Sequence, residues 1–191
     1  MSEELFDIVN DRDEVVGRAP RREAHARGLL HRAVHVIIFN AAGLVFLQKR
    51  SLGKDTAPGC WDSSCSGHVD AGEDYDFSAV RELGEELGLT VPSPPPRWFR
   101  IEARAETGWE FVWVYRLRNE GPFVLAPSEI ERGEWFPPAE ITRRIAERPE
   151  EFASSFRLIW GRAEEKAEIG KRKSESGGPR RGKSGNRKAE T

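Results

Sequence analysis

The 191-residue sequence predicts a layered α/β or α+β domain, and three observations predict it. Ala33 to Phe39, AVHVIIF, is apolar at nearly every position, as a strand covered on both faces must be. The following Asn-Ala-Ala-Gly leads into LVFLQKR, Leu44 to Arg50, so the two runs read as a hairpin. Between this hairpin and two later strand-like runs lies DFSAVRELGEELG, a helical pattern that stops at Gly88. With 38% hydrophobic residues the chain has enough apolar side chains for one core and a tail.

Taken in order, FDIVNDRDEVVGRA suggests a small hairpin around Asn10 to Asp13, and RREAHARGLL a short helix. Residues 1–29 are expected to form an N-terminal extension packed on the main domain, residues 30–166. The acidic start MSEELFDIVNDRD has no apolar run behind a basic end, so it does not resemble a secretory signal. His35, Asn40 and Gln48 interrupt the most apolar stretch, which excludes a membrane-spanning helix there. After the helix, VPSPPPR places four prolines in a rigid loop. RWFRIEARA and WEFVWVYRL then read as strands, the second alternating Phe111, Trp113 and Tyr115 against Val112, Val114 and Arg116. GEWF predicts a short strand, Pro138 the start of a helix, and Pro149 to Lys166 a last helix.

Cys60 and Cys65 are too few for a disulfide framework or an all-cysteine zinc site. They are read as buried, reduced thiols of a cytoplasmic protein. Residues 167–191 are expected to be a basic disordered tail, since Lys171 to Thr191 holds eight Lys/Arg, two Glu and no large apolar residue. That stretch is +6, so the formal net charge of -2 leaves -8 on the rest. The tail is a solubilising extension or, alternatively, a weak electrostatic contact for nucleic acid.

The chemistry concentrates between Gly67 and Leu89, GHVDAGEDYDFSAVRELGEELGL. On a helix, Glu82, Glu85 and Glu86 span an arc of about 100°. Val80, Leu83 and Leu87 gather on the opposite side, so the carboxylates are expected to look outward. Asp76 or Ser78 is the expected N-cap, and Gly84 within the helix has no evident purpose. Three like charges weaken a helix, and only Arg81 stands at i+4 to relieve Glu85. A divalent cation turns that repulsion into shared attraction, because Mg²⁺ or Mn²⁺ favours several hard oxygen ligands. The bland reading is a solvated charged face.

Gly67, five residues, Glu73, seven residues, then Arg81, Glu82, Leu83, any residue, Glu85, Glu86, any residue, Gly88 and Leu89 match every fixed position of the Nudix box. The chain resembles Nudix proteins from about Leu30 to Trp160. The resemblance implies an α/β/α sandwich with a mixed sheet, the box forming loop, helix and loop. It implies that Glu82, Glu85 and Glu86 hold Mg²⁺ or Mn²⁺, with the Gly67 carbonyl a further ligand and Glu73 and Arg81 a supporting pair. The implied reaction is hydrolysis of a diphosphate joined to another group, in a small-molecule substrate, by cation-activated water. Glu82 is one general base implied; in relatives the base also comes from outside the box, where Glu129, Glu131 and Glu134 are unranked candidates.

The wider context, LHRAVHVIIFN, LVFLQKR and PGCWDSSCSGHVDAGED, is similar to isopentenyl-diphosphate isomerase. That enzyme has a cysteine directly before the Gly-His pair, where this chain has Ser66. Cys65 is one residue early, which in extended chain turns it to the other face. The isomerase's metal shell of histidines and glutamates implies His25, His31, His68 and Glu110 here, with Gly108 where a second glutamate belongs. Hydrolase chemistry is the favoured expectation, isomerase chemistry the first alternative, and a non-catalytic nucleotide-sensing module with a nucleic-acid-binding tail the second. His35 is read as a core residue. Trp109 and Trp113 are read as core or sheet cover, with base stacking as the sharper option.

Overall fold

The computed structural model describes residues 4–176. A hairpin of β1 (Leu5–Val9) and β2 (Val15–Pro20) leads into α1 (Arg21–Arg27). Strands β3 (His31–Phe39), β4 (Val45–Arg50), β5 (Trp61–Asp62) and β6 (Cys65–His68) precede α2 (Tyr75–Leu87). Then come β7 (Arg97–Ile101), β8 (Glu110–Arg118), β9 (Ile130–Phe136), α3 (Pro138–Glu147) and α4 (Ser154–Ser176).

The main sheet is mixed, in the order β5-β4-β3-β8-β7, with β6 also paired to β3 and β9 to β4. One flank of β3 runs parallel to β8 along its whole length, from His31↔Glu110 to Phe39↔Arg118. The other flank is divided. Its end forms the expected hairpin with β4 (Ile38↔Phe46), and its beginning pairs antiparallel with β6 (Ala33↔His68 to Val36↔Cys65). That division carries Ser66, Gly67 and His68 into the middle of the sheet.

The apolar run of β3 is explained by cover on both faces. Val34, Val36 and Ile38 pack with Ala79, Leu83 and Leu87 of α2. By strand alternation Ile37 faces the other way. On the remaining helices Ile141, Phe156 and Ile159 are fully buried. The fold is the mixed α/β arrangement the sequence predicts.

At the N-terminus the hairpin closes where expected: the Asn10 side chain accepts from the N–H groups of Arg12 and Glu14, 2.9 and 3.0 Å away. Phe6 is fully buried, and Ala71 N donates to Leu5 O at 2.7 Å. Two boundaries differ from expectation. Helix α2 is capped by Asp74, which accepts from Phe77 N at 2.8 Å, while Asp76 is held by Arg97 and Tyr115 and Ser78 donates to Glu73. Asp74 has the extended backbone that an N-cap needs, whereas Asp76 and Ser78 are already helical.

The last helix starts at Ser154, because Pro149–Glu151 makes a separate 3-10 turn. It continues to Ser176, past Lys166, where the sequence predicts a disordered tail. Between Ala167 and Ser176 the helix propensity of Ala, Glu, Lys and Arg carries the helix on from α4. The chain divides into one compact unit through Trp160 and another from Gly161, within which Arg162 pairs with Glu165 at 2.6 Å. The rest of the basic tail, residues 177–191, lies outside the described residues, and so does most of the expected contact for nucleic acid. Among the described residues no helix is long and apolar enough to cross a membrane.

Candidate active site

The loop after β6 and helix α2 bring the box residues together. Arg81 is the hub. Its Nε and Nη2 donate to the Glu73 carboxylate at 3.1 to 3.2 Å, and its Nη1 donates to Glu82 Oε1 at 2.8 Å and Glu85 Oε2 at 2.9 Å. Nη2 also donates to the His68 carbonyl at 2.9 Å, tying helix to strand. Glu73 is further fixed by the Ser78 hydroxyl at 2.6 Å. Gly88 ends the helix at φ 61°, with Gly88 N donating to Gly84 O and Leu89 N to Leu83 O.

One expectation needs correction. Glu85 is exposed, but Glu82 and Glu86 do not look outward: they are 9% and 4% exposed. Each directly precedes a core leucine, Leu83 or Leu87, so each sits only about 100° around the helix from the apolar stripe. That places both carboxylates over strand β6, where Gly67 makes room. A Cβ on Gly67 would stand 2.0 Å from the Glu82 carboxylate carbon and Oε1. Only glycine permits this approach.

Burial, followed by the charge of Glu86, pushes Glu82 up to about 8. Burial likewise pushes Glu86 up to about 7, against the Ser66 N–H that donates to its Oε2 at 3.0 Å. Two buried carboxyls with raised proton affinity, opening with exposed Glu85 on a cavity of about 360 Å³, form a hard-oxygen site suited to a cation. Glu129 lines the same cavity and pairs with Lys54. Glu131 and Glu134 instead pair with Arg132 on the surface of β9, so of the three outside candidates only Glu129 reaches the carboxylates.

A second cluster lies across β6. His25 of α1, His31 of β3, His68 of β6 and Glu110 of β8 each offer one ligand atom, all within 4.8 Å of one another. Glu110 Oε1 is 3.1 Å from His68 Nε2 and 3.5 Å from His31 Nε2. His31 Nδ1 bonds to the Leu29 carbonyl at 2.8 Å, which as a donor leaves Nε2 free to accept. His25 Nε2 and His31 Nε2 are both buried without a hydrogen-bond partner. Burial, then the neighbouring imidazoles, lowers His25 to about 4, and burial lowers His68. Glu110, against the effect of its burial, is held well below the usual carboxylate range by His31 and His68. Phe6 stacks on His31 and His68 at 5.2 and 4.6 Å, walling the cluster from the N-terminal side. Imidazole nitrogens gathered beside a carboxylate oxygen are the donor set of a transition ion.

A cavity of about 230 Å³ opens beside His25, His68 and Glu110, and Arg21, Lys54, Ser66, Gly67 and His68 line both it and the carboxylate cavity. Arg21 and Lys54 carry no motif, and nothing in the sequence marks them. His35 is buried and bonds to Ser63 Oγ at 2.6 Å, a satisfied histidine outside the cluster, though it also lines the histidine-side cavity. Cys65 is fully buried, and the Cys60 thiol donates to Glu150 O. Trp113 packs against the core beneath Arg97, and Trp109 stands at φ 67° beside Gly28; neither lines the two cavities.

The family model described as NUDIX domain matches residues 29–156. The chain is similar to the uncharacterized Nudix hydrolase YfcD of Escherichia coli K12, at 35% identity over 147 residues, covering 76% of this chain and 81% of that protein. It is also similar to a Nudix hydrolase of Deinococcus radiodurans, 33% identical over 147 residues, covering 76% of this chain and 86% of the relative. The crystal structure of DR0079 from Deinococcus radiodurans superposes with a TM-score of 0.65 at 32% identity, covering 76% of this chain and 90% of that one. A box complete at every fixed position, folded as loop, helix and loop on a mixed sheet, and a match over residues 29–156, about two thirds of the chain, place the chain in the NUDIX domain family, to which it belongs.

Proposed function

We propose that this protein is a Mg²⁺- or Mn²⁺-dependent hydrolase that cleaves the diphosphate linkage of a nucleoside diphosphate derivative or related organic diphosphate. The observation that carries the reading is the buried pair Glu82 and Glu86, opposite Gly67 and open to a cavity with Glu85. A bound cation supplies charge neutralisation of the diphosphate and acidification of water. Glu82, Glu85, Glu86 and the Gly67 carbonyl would hold it. Glu73 and Arg81 fix the carboxylates in place, while Arg21 and Lys54 offer positive charge to the substrate's anionic oxygens. Glu82, or Glu129 across the cavity, accepts the proton lost by the attacking water.

Glu82→Gln and Glu86→Gln are expected to cut cation-dependent turnover at least 100-fold with the fold intact, measured over nucleotide sugars, dinucleotides, coenzyme A and prenyl diphosphates. Wild-type turnover by both variants would remove the assignment.

The second cluster favours one other reading, isomerisation of an allylic or homoallylic diphosphate in the manner of isopentenyl-diphosphate isomerase. The support is His25, His31, His68 and Glu110 gathered beside Ser66. The buried Cys65 thiol, bonded to Glu86, is not placed to act in that cavity, which favours hydrolysis. Incubation with isopentenyl diphosphate separates the two: free phosphate marks the hydrolase, dimethylallyl diphosphate without free phosphate the isomerase.

A further inference from the structure

Gln48 interrupts the apolar strand β4 and is only 1% exposed. A leucine would fill such a position without an amide to desolvate, so the amide needs partners. It finds them at the carboxylate site. Gln48 Nε2 donates to Glu86 Oε2 at 3.2 Å and lies 3.5 Å from Ser66 Oγ. The same Oε2 accepts the Ser66 backbone N–H at 3.0 Å, and the buried Cys65 thiol bonds to the carboxyl as well. Both amide-type donors, one from β4 and one from β6, therefore fall on a single oxygen of a side chain delivered by α2.

We infer that Gln48 is a positioning residue for the cation site: with Ser66 N–H it saturates Glu86 Oε2, fixes the carboxylate rotamer and leaves Oε1 to face the cavity. The inference rests on the reading of Glu82, Glu85 and Glu86 as cation ligands. Its physical basis is that a ligand held by hydrogen bonds need not be ordered when the ion arrives. Glu82 and Glu85 share one donor, Arg81 Nη1, and Glu85 is exposed besides, so among the three carboxylates Glu86 is the one whose oxygen is fixed from two strands.

The test is a Mn²⁺ titration of the full chain followed by electron paramagnetic resonance, with thermal midpoints measured in chelator. The Mn²⁺ equivalents that disappear in Glu86→Gln define the carboxylate site. Gln48→Leu is expected to weaken that class of binding about 10-fold. Hydrolysis should fall at limiting Mn²⁺ and recover as Mn²⁺ is raised about tenfold, a split that a merely structural amide would not produce. Unchanged Mn²⁺ affinity together with a lowered thermal midpoint would overturn the inference and leave Gln48 a core residue. If Glu86→Gln itself leaves Mn²⁺ binding unchanged, the carboxylate reading fails instead and takes this inference with it. Gln48→Met, unbranched and lacking a donor, serves the same comparison where Gln48→Leu does not fold.

Discussion

Glu82 and Glu86 bind their protons more tightly in the folded chain than the ordinary value of 4.5, at about 8 and about 7, because burial disfavours their charge. A group raised in this way contributes stability that is fully present below its unfolded value and lost as pH rises through its folded one. His25, His35 and His68 are lowered by burial and act in the opposite sense, but their effect fades as pH rises above the ordinary imidazole value of 6.5. The metal-free protein is therefore expected to lose stability between about pH 6.5 and pH 8. Thermal midpoints in chelator should fall across that window, and added Mg²⁺ should flatten the slope by holding both carboxyls ionised. A midpoint independent of pH in chelator would contradict the burial of the pair. At this scale the residue identities were legible in the sequence. Their burial was not, since helical periodicity alone puts charged residues outside.

At the scale of the element, α2 combines three separate instructions. Its leucines dock it on β3, its glutamates line the cavity, and Asp74 and Gly88 set its ends. Gly84 belongs to none of them. A Cβ there would meet nothing within 4 Å, and the residue is exposed. Gly84→Ala is accordingly expected to stabilise the protein by about 1 kcal/mol through helix propensity, read as a raised denaturation midpoint with hydrolysis unchanged. A destabilised variant would mean that Gly84 serves a backbone conformation or contact other than the helical one described. Strand β6 has a comparable double duty. Gly67 touches Glu82 on one side while the adjacent His68 joins the imidazole cluster, so three consecutive residues from Ser66 line both cavities.

At the scale of the whole molecule, the histidine cluster draws one residue from each of α1, β3, β6 and β8, joining the N-terminal segment to the sheet. Such a donor set is expected to take Co²⁺ as a spectroscopic probe. One equivalent should give a visible absorption band that is lost in His31→Ala and His68→Ala and kept in Glu82→Gln; a band that survives the histidine changes would place the ion elsewhere. By itself the sequence determined the fold class, the hairpin, the helix and the acidic motif, because each is a local pattern: apolar runs, a glycine stop, carboxylates at fixed spacing. It also yielded the four members of the histidine cluster, through resemblance. Only the tertiary structure decided that Glu82 and Glu86 are buried, that Glu129 and not Glu131 or Glu134 reaches them, and that Gln48, Arg21 and Lys54 belong to the site. These facts depend on how β3 divides one flank between β4 and β6. Strand pairing brings together residues far apart in the chain, and no local periodicity encodes which side chains it sets face to face.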